Sequence, residues 1–211
     1  MPSAGSAVGL YDRFVLPRLI ALAMRAPQLV PFRQRIGAAA EGRVLELGIG
    51  SGLNLPFYGP SARAVTGVDP SPVLLRLAEA RAAGLGVTLA VRARPAEDLP
   101  FDTGSFDTVV TTWTLCSIGD PHAALAEARR VLRPGGRLLF VEHGLAPDPR
   151  VARWQHRLTP AWRHIAGGCH LDRRIDALVG GAGFRIETVE AAYVGAPRVA
   201  TYFYSGAARP L

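Results

Sequence analysis

From residue 43 onward, short apolar runs alternate with longer stretches in which apolar residues recur every three or four positions, the pattern of strands alternating with helices. Runs at 43–47, 64–68, 87–93, 106–112 and 137–142 are too short, and too rich in leucine or β-branched residues, for helices; they predict strands. Helical periodicity predicts helices over 72–83 and 121–132. The first opens after Asp69-Pro70-Ser71 with Pro72 in its first turn, where a missing N–H costs nothing. The second stops at Arg133-Pro134-Gly135-Gly136, which reads as a turn. After residue 144 come two helical segments, around 150–166 and 173–182, then strands near 184–192 and 199–205. This succession predicts an α/β fold, a doubly wound, seven-stranded, mostly parallel sheet with an antiparallel last strand. Ahead of it, the apolar stretch from Phe14 to Met24 predicts an amphipathic lid helix.

At 211 residues, with 49% hydrophobic and 19% charged, the chain buries one sizeable core. Residues 1–211 read as one domain, with a helical lid over 1–40, a ligand-binding core over 41–145, and helices and closing strands over 146–211. The 24 basic residues are all arginine and are scattered among 17 acids. A net charge of +7 favours anionic surfaces in general, but without a basic run or an aromatic-basic repeat it gives no ground for nucleic-acid binding. The 14–24 stretch is broken by Pro17 and Arg18 and is too short to span a bilayer. The alternative to a lid is weak peripheral membrane contact, with Arg13, Arg18 and Arg25 above Phe14, Leu16, Leu19 and Leu22. Cys116 and Cys169 make neither a disulfide framework nor a metal cluster, which points to a reducing compartment, the cytoplasm. Cys169 and His170 are adjacent, and no second ligand pair stands at a spacing that closes a tetrahedral site, so no metal is expected. Nothing in the pattern calls for an obligate protein partner.

The chemistry begins at Val44-Leu45-Glu46-Leu47-Gly48-Ile49-Gly50-Ser51-Gly52-Leu53-Asn54, a strand running into a glycine-rich turn. Glycines let backbone approach a ligand closely, and a following helix N-terminus is expected to offer N–H groups to an anion. A dinucleotide fingerprint has Gly-x-Gly-x-x-Gly; here the third glycine comes one residue early and Leu53 takes its place. A carboxylate at Glu46 repels a pyrophosphate and suits an ammonium group. Asp69, at the end of the second strand, stands where an acid accepts hydrogen bonds from both hydroxyls of a ribose.

Together with Ala96-Glu97-Asp98-Leu99-Pro100-Phe101, Phe106-Asp107-Thr108-Val109-Val110 and Leu132-Arg133-Pro134-Gly135-Gly136, these pieces resemble the class I S-adenosylmethionine-dependent methyltransferases. The resemblance implies a Rossmann-like methyltransferase fold, S-adenosyl-L-methionine as cofactor and S-adenosyl-L-homocysteine as product. It also implies a cofactor lining of Glu46, Gly48, Gly50, Gly52, Asn54, Asp69, Pro70 and Glu97, with Thr112 and Trp113 on the far side. In the family the adenine-reading acid often stands in a Gly-Asp-Ala-Glu run; here Arg94 and Pro95 lead it, leaving Glu97 and, second to it, Asp98. Thr114-Leu115-Cys116-Ser117-Ile118, Val141-Glu142-His143 and Pro160-Ala161-Trp162-Arg163-His164 through Gly168-Cys169-His170-Leu171 narrow the likeness. They resemble small methyltransferases related to animal membrane-associated alkyl-thiol methyltransferases, whose bacterial relatives often carry a phosphatidylethanolamine methyltransferase label. The expected partner is a small-molecule acceptor, most simply a thiol, in a pocket made by Tyr11, Cys116, His143, Trp162, His164 and Cys169.

Methyl transfer is an in-line displacement governed by positioning and desolvation. A thiol with a pKa of about 8.5 needs only a modest base. His143, at the C-terminal end of a strand where doubly wound folds place their sites, is the first candidate; His164 and His170 follow. Trp113, Trp154 and Trp162 offer an apolar wall or, equally, core. Two other classes stay open: an N-methyltransferase for a phospholipid amine, and a non-catalytic cofactor- or RNA-binding protein of the same fold.

Overall fold

The computed structural model describes residues 16–211; Tyr11, Arg13 and Phe14, named above, lie outside the described residues. Its sheet is made of β1 (Gly42–Leu47), β2 (Ala62–Val68), β3 (Leu89–Arg92), β4 (Phe106–Thr112), β5 (Leu132–His143), β6 (Phe184–Tyr193) and β7 (Tyr202–Pro210), in the order β3-β2-β1-β4-β5-β7-β6. The first five strands run parallel, and β7 is antiparallel to both its neighbours, as the sequence predicts. The helices are α1 (Leu16–Ala23), α2 (Val30–Ala39), α3 (Pro72–Leu85), α4 (Pro121–Val131), α5 (Pro149–Ile165) and α6 (Ile175–Gly181).

The helix starts are written locally. Ser71 Oγ accepts from Leu74 N, Asp120 Oδ1 accepts from His122 N and Ala123 N, and Asp148 Oδ1 accepts from Arg150 N. A proline follows each cap in the first turn. Every residue of β4 is buried, which is what a central parallel strand covered on both faces requires.

Side-chain alternation divides the core in two. Leu45, Leu47, Val109, Leu138 and Phe140 pack with Leu125 and Val131 of α4 and with Ile175 and Val179 of α6 on one face. Val44, Val110, Leu139 and Val141 pack with Ile36 of α2 and Leu75, Ala78 and Ala82 of α3 on the other. Glu46, Thr112 and His143 continue this second face, each two residues beyond an apolar position.

Three expectations are corrected. No α-helix joins β1 to β2, only a 3-10 turn at Leu55–Phe57, so the N–H groups of a following α-helix are not the anion donors after the glycine loop. Finally, Arg133-Pro134-Gly135-Gly136 does not precede β5; it is an irregularity inside it. Leu132 pairs with Phe106 and Arg137 with Thr108, so the intervening residues bulge, with Gly135 at φ 79°. The last strand starts at Tyr202 rather than 199, because Arg198–Ala200 is a 3-10 turn.

Candidate active site

At the C-terminal end of β1, the Glu46 carboxylate is buried, and the donors around it are side chains of this chain. Asn54 Nδ2 donates to Oε1 at 2.7 Å and Tyr58 OH donates to Oε2 at 2.8 Å. Asn54 also donates to Thr112 Oγ1 at 3.0 Å and accepts from Arg33 Nη1 at 2.7 Å. The Asn54 carboxamide thus bridges a buried carboxylate and a buried guanidinium. Burial pushes Glu46 up to about 7, against the two hydrogen bonds and the charge of Arg33. The same cause lowers Arg33 to about 10. Arg33 also donates to Met24 O and lies 4.7 Å from the ring centroid of Trp113, a cation–π contact.

Next to this pair, Asp69 ties the glycine loop to the end of β2. Oδ2 accepts from Gly50 N at 3.0 Å and Oδ1 from Ser71 N at 2.8 Å, while burial raises its pKa. Gly48 is glycine for space and conformation together: at φ 65°, its Cβ would stand 2.3 Å from Thr114 Oγ1. A Cβ on Gly52 would press on Leu55 and Ala78. At Gly50, by contrast, the nearest atom to a Cβ is Gly48 O at 3.9 Å, so the loop is open there. Pro70 is exposed beside Asp69. Glu97 is half-buried and accepts from Asp120 N at 3.3 Å, whereas Asp98 faces outward and pairs with Arg94 at 3.3 Å. Only Glu97 of these two faces the turn after β4.

That turn is unusual. Trp113, at φ 51°, is the one non-glycine residue with a positive φ among those described, a conformation that costs on the order of 1 kcal/mol or more. It is held by Trp113 N donating to Val141 O at 2.7 Å and by edge-on contacts with Phe32 and Phe203. Its indole N–H is buried without a partner. Glu142, fully buried, organises the next residues: Thr111 Oγ1 donates to Oε1 at 2.7 Å, Thr114 N to Oε1 at 3.1 Å and Cys116 N to Oε2 at 3.2 Å. Burial still pushes it up to about 6.

Beyond Trp113 the chain gathers four predicted pocket residues. His143 Nδ1 lies 3.5 Å from Cys169 Sγ, within hydrogen-bonding range for sulfur. Its Nε2 is buried with no partner, and the residue is 4% exposed. Cys116 Sγ lies 3.6 Å from Ser117 Oγ; the neighbouring Cys169, then burial, keep its thiol proton well above the usual range, while Cys116 first, with burial opposing and His143 assisting, leaves Cys169 lowered. The Trp162 indole N–H, also unpartnered by hydrogen-bond geometry, contributes to holding Cys169 low. His164 and Trp154 lie on exposed parts of α5 and do not join this cluster. His170 is half-buried beside Asp172.

Arg33, Tyr58 and Phe203 adjoin the candidate site without having been named for it, and Glu142, quoted in Val141-Glu142-His143, was given no role. For Arg33 a signal existed: Arg33, Ile36 and Gly37 are the buried positions of α2 at i, i+3 and i+4, so an arginine sits on the apolar stripe.

A family model described as a methyltransferase domain matches residues 45–140. The thiol S-methyltransferase TMT1B of Homo sapiens is 44% identical over 142 residues, covering 65% of this chain and 57% of that protein. This chain therefore spans little more than half the length of that relative. The phosphatidylethanolamine N-methyltransferase of Cereibacter sphaeroides is 33% identical over 161 residues, 72% of this chain and 73% of that one. A crystal structure of a SAM dependent methyltransferase from Aquifex aeolicus superposes with a TM-score of 0.64 at 19% identity, over 91% of this chain and 97% of that chain.

Proposed function

The chain belongs to the class I S-adenosylmethionine-dependent methyltransferase family, and from that membership we propose that it methylates the sulfur of a small-molecule thiol. The observation that carries the acceptor class is His143 Nε2, a buried ring nitrogen without a partner, whose ring stands edge-on to Phe203, itself edge-on to Trp113. A single proton acceptor in an apolar surround suits a lipophilic thiol, whose S–H gives up one proton and needs no further recognition. The relatives whose printed name is thiol S-methyltransferase support the same reading.

The residues present fit the cofactor. Glu46 and Arg33, bridged by Asn54, form a matched pair of opposite charges suited to a zwitterionic amino acid, carboxylate to ammonium and guanidinium to carboxylate. Ser51 Oγ, buried and unpartnered, is a further polar atom in that loop. In this reading Asp69 holds the ribose hydroxyls, Glu97 meets the adenine, Pro70 flanks it, and Gly48, Gly50 and Gly52 let the loop backbone approach. When bound, S-adenosylmethionine supplies a sulfonium-activated methyl group that an in-line lone pair displaces. Thr112 and Trp113 fix the wall between the two halves of the site, and Trp113, Phe32 and Phe203 exclude water from it. His143 Nε2 accepts the thiol proton. We place the protein in the cytoplasm, since two cysteines in contact persist as free thiols where the surroundings are reducing.

A second reading, N-methylation of a phospholipid amine, draws on the 73% coverage of the bacterial relative and on Leu19 and Leu22 of α1, 50% and 63% exposed. No helix among the described residues is long and apolar enough to cross a membrane. The deciding assay is transfer from labelled S-adenosylmethionine to alkyl and aryl thiols, vesicles containing phosphatidylethanolamine, a phenol and bulk RNA. Product on the thiols alone supports the proposal. Product on the vesicles alone replaces it with the second reading.

A further inference from the structure

Two hydrogen-bond directions are open between Cys169 and His143, and they have opposite chemical consequences. If the thiol donates to Nδ1, the ring's proton sits on Nε2, which becomes a buried donor and has no basicity to offer. If Nδ1–H donates to sulfur, Nε2 is a lone pair facing the acceptor pocket. We propose that Cys169 is a positioning residue that accepts the Nδ1 proton of His143 and so presents Nε2 as the base, the part an aspartate plays in a Ser-His-Asp triad. Its consequence for turnover rests on the thiol-methylation reading; its premise, the direction of one hydrogen bond, does not.

The surroundings of the Cys169 sulfur favour its role as acceptor. Its own geometric partner is His143 Nδ1 at 3.5 Å, and its neighbours Cys116, from the turn after β4, and Trp162 of α5, whose indole N–H is buried without a partner, both act to hold it as the anion. From the α5–α6 turn, the half-buried Arg173 guanidinium interacts with both sulfurs while donating to Leu115 O. The opposing charge, Glu142 on β5, is already engaged by Thr111, Thr114 and Cys116. His170 and Asp172 of the same turn pair with each other, and Arg163 adds a further positive charge nearby. Phe203 of β7, edge-on to the imidazole at 6.1 Å, carries no charge.

The backbone holds this arrangement. His170 N donates to Cys116 O at 2.7 Å, and Gly168 N donates to Arg163 O. Gly168, at φ 85°, lies so close to Ser117 O that a Cβ would stand 3.0 Å from it. The segment after α5 is therefore laid against the segment after β4, which brings the Cys169 sulfur to 3.5 Å from His143 Nδ1. In the reaction the thiol S–H bond breaks, its proton passes to Nε2, and the sulfur electron pair forms the new S–CH3 bond as the sulfonium C–S bond breaks. The imidazolium so formed keeps its Nδ1–H on the Cys169 thiolate, whose charge stabilises it. A serine at 169 stays protonated and donates instead, turning the tautomer round; an aspartate restores an anionic acceptor.

The test begins with the cofactor-free wild-type protein. Absorbance at 240 nm is expected to show one thiolate at pH 7, lost in Cys169→Ser and kept in Cys116→Ser. Nitrogen-15 NMR is expected to place the neutral His143 proton on Nδ1 in the wild type and on Nε2 in Cys169→Ser. For thiol methylation, Cys169→Ser should lower kcat on the order of 100-fold at an unchanged KM for S-adenosylmethionine and shift the pH–rate profile, with Cys169→Asp recovering most of the loss. An Nε2–H wild-type ring, or Cys169→Asp no faster than Cys169→Ser, overturns the proposal. If Cys169→Ser does not fold, the wild-type tautomer alone decides. An Nδ1–H tautomer in a protein that methylates no thiol upholds the pairing and sinks the thiol reading instead.

Discussion

The carboxylate of Glu46 makes the protein's stability depend on pH in a direction opposite to that of ordinary acid denaturation. Burial raises its pKa from 4.5 to about 7 in the native state. The unfolded chain thus releases this proton first, and between those two values the native state binds more protons than the unfolded one. Stability contributed at this site is therefore present at low pH and lost as pH rises toward 7 and beyond. At 1.36 kcal/mol per tenfold, the whole difference is about 3 kcal/mol, and of this roughly 2.5 kcal/mol falls between pH 5 and pH 8. Glu46→Gln keeps the volume and cannot ionise. It disturbs the donors on Asn54 and Tyr58 and removes the counter-charge of Arg33, so its absolute stability at one pH is not diagnostic; the slope is. Urea unfolding of both proteins at pH 5, 6, 7 and 8, without cofactor, should show the variant gaining about 2.5 kcal/mol on the wild type from the lowest to the highest pH. Glu142, whose value is also raised, is common to both chains and cancels in the difference. Parallel curves, with a constant gap across the series, would refute the claim that this carboxylate is held against ionisation by burial. The same variant should bind S-adenosylhomocysteine 10- to 100-fold more weakly, the worth of one charge-assisted hydrogen bond of about 1.5–3 kcal/mol.

Arg33→Gln should weaken S-adenosylhomocysteine by a similar factor while leaving 5′-methylthioadenosine, which lacks the amino acid, unchanged in titration calorimetry; equal losses for both would remove Arg33 from the carboxylate. Gly48→Ala puts a Cβ 2.3 Å from Thr114 Oγ1 in a left-handed conformation, and a cost of more than about 2 kcal/mol is expected, with a fall in Tm of several degrees. A wild-type Tm for that variant would show that the loop moves aside freely. Glu142→Ala leaves Thr111, Thr114 N and Cys116 N without their acceptor and should cost about 3 kcal/mol in urea unfolding, whereas Glu142→Gln, which keeps one acceptor oxygen, should cost less.

What could be read in the chain was whatever its local chemistry determines. The bounds of β4 and the starts of α3 and α4 follow from a continuous apolar run and from cap-proline pairs, and the structure has them where the pattern put them. Glu46, Thr112 and His143 share a face because each lies two residues beyond an apolar position, which period-two alternation makes legible. Arg33 and Glu142 were not legible as site residues for a different reason. Their partners stand 21 residues away at Asn54 and 31 away at Thr111, and although the apolar stripe of α2 marks Arg33 as buried, nothing near either residue names its partner. The approach of the two cysteine segments is of the same kind, held by a backbone hydrogen bond from His170 N to Cys116 O across two loops. The wrong turn at Arg133-Pro134-Gly135-Gly136 shows the converse failure. Its residues have strong turn chemistry, and the bulge uses it, but pairing on both sides with β4 keeps the segment inside one strand.

The missing crossover helix between β1 and β2 bears on what the N-terminal segment is for. In a doubly wound sheet the helix after β1 normally covers one face of β1 and β2. Here three residues of 3-10 turn cannot, and the face is covered by α2, which precedes β1 in the chain. The fit is close: a Cβ on Gly37 would stand 2.1 Å from Phe57 O, so helix and turn meet backbone to backbone, with Ile36, Val44 and Leu55 in one cluster. α2 is thus a wall of the core as well as a cover, and Arg33 reaches Asn54 and Trp113 from that wall. A lid that opens at its own hinge would have to keep Ile36 and Gly37 in place while releasing what lies before them. The division falls between α1, whose one fully covered residue is Ala21, and α2. Were a ligand admitted by an opening lid, α1 and the Met24–Pro27 connection could move without breaking this packing, whereas α2 could not.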